Sequence, residues 1–259
     1  MNIINKQTLS NKLSGFLLRV NNRLENNGTY LWDLNGEKVF LYDLAKDWND
    51  KDVCCFDIGA NIGDYAGYLF QAVGDKRNFK LHLFEPQLKC VELLNNAFGK
   101  DERVKINSVG LSSKNNLATI YKNEDGSALA SLYERDVKYY NYALDKKEEI
   151  VLRRADEYIE ENGISKIDFV KIDVEGHELE VLEGFGKYLN SDFIDYIQFE
   201  YGGANLDSRT NLNDFYNLFT AKGFVICKIM KNHLEVRSYD PRYENFILQN
   251  FVAVSKKLL

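Results

Sequence analysis

Four acidic residues stand at the ends of apolar runs: Asp57 after Val53-Cys54-Cys55-Phe56, Glu85 after Lys80–Phe84, Asp173 near the end of Ile167–Val174, and Glu200 near the end of Ile194–Tyr201. Short apolar runs bounded by turn residues read as buried strands. In an open α/β sheet, ligands bind beyond the carboxyl ends of the strands. Carboxylates there suit a cation or a set of hydroxyls. A single acid at a strand end reads as a solvated charge, but four in series on one edge read as a site.

The first of these acids opens the sequence Asp57-Ile58-Gly59-Ala60-Asn61-Ile62-Gly63, after which apolar and small residues recur at helical spacing as far as Val73. A strand, a glycine turn and a helix begin a nucleotide-binding unit. The dinucleotide fingerprint needs a second glycine so that the backbone can touch a pyrophosphate. Here Asn61 occupies that position, and Asp57 would repel phosphate while welcoming a cation. S-adenosylmethionine carries a sulfonium, an ammonium, a carboxylate and a ribose diol, and no phosphate. Asp57, the N–H groups of the turn and Glu85 would suit it, with Glu85 on the two ribose hydroxyls. The same residues also fit an ordinary βα turn that uses glycine for positive φ.

A second dense stretch runs Lys171-Ile172-Asp173-Val174-Glu175-Gly176-His177-Glu178-Leu179-Glu180. A histidine at a helix start is kept neutral by the helix dipole, so His177 reads as a base or as a capping residue. For deprotonating a hydroxyl the candidates are His177, Asp173 and Glu200. Glu178, Glu180 and Glu183 read as a solvated helix face. Nothing demands a metal: Cys54, Cys55, Cys90 and Cys227 lack metal-ligand spacing and read as reduced thiols.

The elements that must hold these residues alternate. Strands are expected near 53–56, 80–84, 104–107, 117–121, 167–174, 194–201, 224–230 and 246–254, and helices near 62–73, 87–98, 177–189 and 213–222. That pattern predicts an α/β fold with a doubly wound, mostly parallel sheet and an antiparallel closing pair. Ahead of it, residues 1–26 read as an amphipathic helix that packs on the domain or forms a homo-oligomer contact. Tyr30 to Tyr42 reads as a hairpin turning at Asn35-Gly36. The domain division is therefore 1–50, a helix-and-hairpin extension, and 51–259, the catalytic domain. Glu134 to Glu149 reads as a mobile segment. Its neighbourhood is rich in tyrosine (Tyr133, Tyr139, Tyr140 and Tyr142), suited to lining a substrate mouth or covering core.

A net charge of −6 without a basic block disfavours nucleic acid as a partner, and an uncharged acceptor suits the acidic surface. No apolar run is long enough to span a bilayer and no leader pattern opens the chain, so a cytoplasmic setting is expected. Two rival readings are an NAD-dependent sugar oxidoreductase and a non-catalytic module of glycan assembly.

Taken together, Asp57–Gly63, Phe84-Glu85-Pro86, Leu111-Ser112 and Lys171–Glu178 resemble, in the same order, the motifs of the FkbM-type methyltransferase family. The resemblance runs from about Val53 to Gly203 and does not reach the first fifty residues. It implies a Rossmann-like enzyme dependent on S-adenosylmethionine, with O-methylation of a sugar hydroxyl, on a surface glycan or a natural product, as the usual reaction. By that resemblance Asp57, Gly59, Asn61 and Gly63 hold the methionine end of the cofactor and Glu85 its ribose. Gly110, Leu111 and Ser112 lie near the adenine, and Asp173 and Glu175 sit at the transfer site. Gly126–Ser131 borders the acceptor pocket. This chain departs from the family in two places: Ser113 follows the Leu-Ser pair where many relatives have an acid, and His177 stands where similar sequences often have alanine.

Overall fold

The computed structural model describes residues 9–48, 51–135, 137–138 and 142–259. In chain order the elements are α1 (Leu9–Leu24), α2 (Glu37–Asp47), β1 (Val53–Ile58), α3 (Asp64–Val73), β2 (Phe79–Phe84), α4 (Leu88–Phe98), β3 (Val104–Asn107), β4 (Gly110–Leu111), β5 (Asn116–Lys122), β6 (Lys146–Arg153) and α5 (Ala155–Glu161). They continue with β7 (Ile167–Ile172), α6 (Glu178–Gly184), β8 (Ile194–Tyr201), α7 (Ala204–Ser208), α8 (Leu212–Ala221), β9 (Phe224–Ile229), β10 (Leu234–Val236) and β11 (Gln249–Ser255).

The main sheet has the order β10-β9-β11-β8-β7-β1-β2-β3. Strands β3, β2, β1, β7 and β8 pair in parallel. The most apolar of them are the most covered: all six residues of β7 are buried, as expected when helices close both faces of a parallel sheet. Strand β11 runs antiparallel to both β8 and β9, so β9 points the same way as the parallel set. The chain order reverses between β1 and β7, and the crevice at that switch point is where an open α/β sheet binds its ligand. The predicted fold class holds, including the antiparallel closure.

Two large clusters form the core of the main sheet. One is centred on Phe56, Phe84, Val170, Phe185, Phe199 and Phe215. The other faces α2 and α3 and contains Phe40, Leu41, Trp48, Leu69, Phe79 and Phe169. A small third one, Ile120, Ala130, Ile150 and Leu152, lies under the three-stranded sheet of β4, β6 and β5.

Three expectations are corrected. No hairpin forms between Tyr30 and Tyr42; α2 begins at Glu37. Phe40, Leu41, Leu44, Ala45 and Trp48 are buried, and that spacing is a helical face laid on the sheet. Asn35 starts the helix by accepting the Glu37 N–H at 3.0 Å. Gly36 has φ 90°, and a Cβ there would lie 2.1 Å from the Met230 carbonyl oxygen. The Asn-Gly pair therefore serves a close crossing of backbones rather than a two-residue turn.

The last four residues of the Glu134–Glu149 stretch, expected to be mobile, lie in a strand. Lys146–Glu149 belong to β6, which pairs with β4 and β5 in a second, three-stranded sheet. Finally, Glu178 is not part of a solvated face. It is 2% exposed, and its Oε1 accepts the N–H groups of Val174 and Gly176 at 3.1 Å each, closing the turn between β7 and α6.

Candidate active site

A cleft opens at the carboxyl ends of β1, β2 and β7, roofed by the small sheet and the 127–132 segment.

The turn after β1 supplies the floor. Gly59 has φ 83°, and a Cβ on it would stand 1.9 Å from the Asp173 carbonyl oxygen. No other residue fits where β1 and β7 part. Asn61 also lies in the left-handed region, at φ 46°, which asparagine tolerates better than most residues. Its side-chain Nδ2 donates to the Ser127 carbonyl at 3.2 Å, tying the floor to the roof. Gly63 does a different job: it caps α3, and a Cβ would collide with Phe98 at 2.6 Å and Leu94 at 2.8 Å. It is a packing position and does not line the cleft.

Glu85 ends β2 and is 3% exposed. Each of its carboxylate oxygens accepts one backbone N–H: Oε2 from Asn61 at 2.9 Å and Oε1 from Gln87 at 2.8 Å. Burial nevertheless pushes its pKa up to about 7, with the two N–H groups pulling the other way. An ionised carboxylate has about four acceptor positions, so each oxygen keeps one free. Beside it, Leu111, Ile120, Ala130, Ile150 and Leu152 make an apolar slot. Three of these five, Ile120, Ile150 and Leu152, come from β5 and β6 and from no motif, so motif reading missed them. The alternation of β5 and β6, with Ile120, Ile150 and Leu152 buried, is the signal that could have found them.

Asp57 sits one layer below the cleft rather than on its wall. It is 1% exposed and, among the described residues, its Oδ2 has no hydrogen-bond partner. Burial raises its pKa to about 7, opposed by the Lys171 charge. A buried carboxylate oxygen left unpaired is costly unless a cation or donor comes near it.

At the end of β7 the charges crowd together. Asp173, Glu175 and His177 line the cleft. Lys171 Nζ reaches Asp173 Oδ2 at 3.2 Å, and Arg135 bridges Glu175 and, at 3.3 Å, Asp207. Glu175 adopts φ 54°, a strained setting for a residue with a side chain. Its pKa is pushed up to about 7 by burial, then by Asp173, against Arg135. Glu200 is raised well above its usual value by burial and by the same two acids. It stands behind the cleft wall, not on it. Arg135 was not anticipated from sequence, because nothing local marks a loop arginine as an ion-pair bridge.

His177 has both ring nitrogens engaged: Nε2 with Ser112 Oγ at 2.9 Å and Nδ1 with the Tyr133 hydroxyl at 3.2 Å. Burial lowers its pKa to about 4. Ser112 meets the histidine and not the cleft, whereas Gly110 and Leu111 line it. Of the four tyrosines, Tyr133 touches His177, Tyr142 is exposed, and Tyr139 and Tyr140 lie outside the described residues.

A buried polar chain enters from the other side. Glu37 accepts from Gln198 Nε2 at 2.7 Å and Asn250 Nδ2 at 3.0 Å, and Gln198 Oε1 accepts the Tyr65 hydroxyl at 2.7 Å. The Lys171 ammonium lies 5.5 Å from the Tyr65 ring centre. Glu37, ahead of β1, thus connects through Gln198 and Tyr65 to the charged end of β7.

A family model described as the methyltransferase FkbM domain matches residues 57–238. Among curated proteins, the methyltransferase sdnD of Sordaria araneosa is 30% identical over 158 residues, covering 49% of this chain and 58% of that protein. The chain thus spans little more than half the length of that relative. Among solved structures, an FkbM methyltransferase from Methylobacillus flagellatus KT aligns with a TM-score of 0.49 at 16% identity, over 78% of this chain and 43% of the other. An O-methyltransferase from Bacillus cereus, in complex with S-adenosylhomocysteine, aligns with a TM-score of 0.47 at 12% identity, over 98% and 94%.

Proposed function

The chain belongs to the FkbM methyltransferase family, and from that premise we infer that it transfers a methyl group from S-adenosylmethionine to an uncharged hydroxyl, on a sugar of a glycan or on a natural product. The observation that carries the cofactor reading is Glu85. Its two oxygens are each fixed by one backbone N–H and each keep one acceptor position, which matches the paired donors of a ribose diol. The apolar slot formed by Leu111, Ile120, Ala130, Ile150 and Leu152 suits an adenine. The bare backbone at Gly59 gives room for the methionine end, and the unpaired Asp57 oxygen beneath favours a cation above it. A nicotinamide dinucleotide fits less well, because Asn61 takes the position where a pyrophosphate needs glycine.

When bound, S-adenosylmethionine supplies a methyl group activated by its sulfonium. The residues of this chain have the remaining tasks: to bind, to align the acceptor oxygen, to exclude water and to take a proton. Asp173 is the carboxylate best suited to take it. It lines the cleft with 39% of its side chain open and is oriented by Lys171. His177, led by sequence as the first candidate base, fits a positioning role. A ring with a pKa near 4 and partners on both nitrogens is a weak base at neutral pH, but it fastens the Ser112 turn to Tyr133. Glu200 acts at one remove, setting the charge around Lys171 and Asp173.

The test is calorimetry of the full chain with S-adenosylmethionine, S-adenosylhomocysteine and NAD, followed by transfer of labelled methyl to panels of sugar, phenolic and amine acceptors. Binding of NAD in place of the adenosyl ligands would overturn the cofactor reading. Binding followed by methylation of amines alone would overturn the hydroxyl reading.

A further inference from the structure

Helix α1 has no buried residue among its sixteen. Leu9 is 82% exposed, Leu13 57%, Phe16 53%, Leu17 57%, Val20 41% and Leu24 72%. At 100° per residue these six fall within about 100° of one another, a single apolar stripe. Lys12, Arg19 and Arg23 fall within about 40° of one another along one border of that stripe. No acidic residue precedes Glu25, although the chain as a whole carries a net charge of −6. The cationic helix is therefore attached to a body more acidic than the total suggests.

We propose that α1 is a membrane-surface helix that docks this protein on an anionic lipid bilayer. A stripe of leucine and phenylalanine edged by lysine and arginine is the pattern of a helix lying in the plane of the headgroups: the apolar face enters the acyl boundary and the long basic side chains reach up to lipid phosphates. A second copy of the same helix is a poorer occupant. Pairing two such stripes sets like charges beside each other, and α1 has no acid to offset them. The helix is too short and too polar to cross the membrane: no described helix is long and apolar enough.

The root of α1 is firmly held. Asn26 Nδ2 donates to the carbonyls of Asn35 at 2.6 Å and Ile229 at 3.0 Å, and the Gly28 N–H donates to Leu248 at 2.8 Å. Lys228 Nζ donates to Asn27 Oδ1 at 2.6 Å, and Glu25 pairs with Arg237 at 3.2 Å. Ile229 ends β9, which runs in the sense of the parallel strands, so this anchor lies on the same edge of the sheet as the cleft. Docking through α1 brings that edge to the bilayer, where a lipid-linked acceptor would be presented. This last step rests on the methyltransferase reading; the docking does not.

The experiment is co-sedimentation of the full chain with vesicles of pure phosphatidylcholine and of phosphatidylcholine containing phosphatidylserine, at low and high salt. Docking predicts binding to the anionic vesicles, weakened by salt, with little binding to the neutral ones. R19Q/R23Q should reduce partition about thirtyfold, at roughly fivefold per charge, and L13S/L17S should abolish it. Because α1 buries nothing, both variants should melt with the parent; if the leucine pair lowers the melting point, the charge pair alone decides. A chain that stays in the supernatant with both vesicle types overturns the proposal, as does binding that ignores lipid charge and R19Q/R23Q alike. A dimer in light scattering that L13S/L17S returns to monomer, without vesicle binding, overturns it in favour of a second copy. Methylation of soluble acceptors at full rate by L13S/L17S leaves docking and catalysis separable, so failure of one is told apart from failure of the other.

Discussion

Replacing Glu85 by glutamine tests the cofactor site at its centre. In the wild type both carboxylate oxygens accept backbone N–H groups, and the side chain lines the cleft. Glutamine keeps the shape but turns one acceptor into an NH₂, so one of the N–H groups of Asn61 and Gln87 faces a donor and one diol hydroxyl loses its partner. Losing a hydrogen bond to a charged group costs about 1–3 kcal/mol, so S-adenosylmethionine should bind roughly five- to 150-fold more weakly. A second signature comes from titration. With a pKa near 7 in the free protein, Glu85 is mostly ionised at pH 8 and mostly protonated at pH 6. If the diol requires the ionised form, wild-type affinity should fall about tenfold across that interval. The glutamine variant should lose that share of the pH dependence, while any contribution from Asp57 and Glu175, which titrate in the same range, remains. Calorimetry at pH 6, 7 and 8 on both proteins measures this. Unchanged affinity in E85Q, with an unchanged pH profile, would refute the ribose assignment.

Gly59→Ala places a methyl 1.9 Å from the Asp173 carbonyl at φ 83°, so a loss of about 2–4 kcal/mol and a fall in melting temperature are expected by calorimetric scanning; an unshifted Tm would contradict the geometry. Asp173→Asn should lower kcat about 10²–10⁴-fold. His177→Asn should leave the pH profile between 6 and 8 unchanged, since a group with a pKa near 4 does not titrate there; a rate tracking imidazole ionisation near pH 6.5 would restore histidine as the base. Glu37→Ala leaves Gln198 and Asn250 with unpaired buried amides and should destabilise the chain by about 2–4 kcal/mol, read by chemical denaturation. Asp57, Glu85 and Glu178 all have pKa values raised to about 7. Their stabilising contribution is complete below the unfolded-state carboxyl pKa and is lost as pH rises towards 7. The free protein should therefore melt lower at pH 8 than at pH 5.5, and melting scans that rise over that interval would contradict the raised values.

The strand-turn-helix at Val53–Val73, the mostly parallel character of the sheet and the placing of Asp57, Glu85 and Asp173 at strand ends were legible in the sequence. Each depends on a local period or on a turn residue a few positions away, and backbone conformation is largely a local matter. What those side chains do once placed was not local. Asp57 and Glu200 fell behind the cleft wall, Gly63 became a packing contact with Phe98, and Ser112 turned to His177. His177 lost its free lone pair to partners 65 and 44 residues away, which no helix-start rule foresees. The Asn35-Gly36 pair shows the same limit: its chemistry allows a hairpin, but the Met230 carbonyl and the burial of Phe40, Leu41 and Leu44 made it the start of a helix. Residue type and spacing determined which groups could perform the chemistry. Burial and long-range hydrogen bonding, which exist only after the chain has packed, decided which of them face the cleft and in what state of charge.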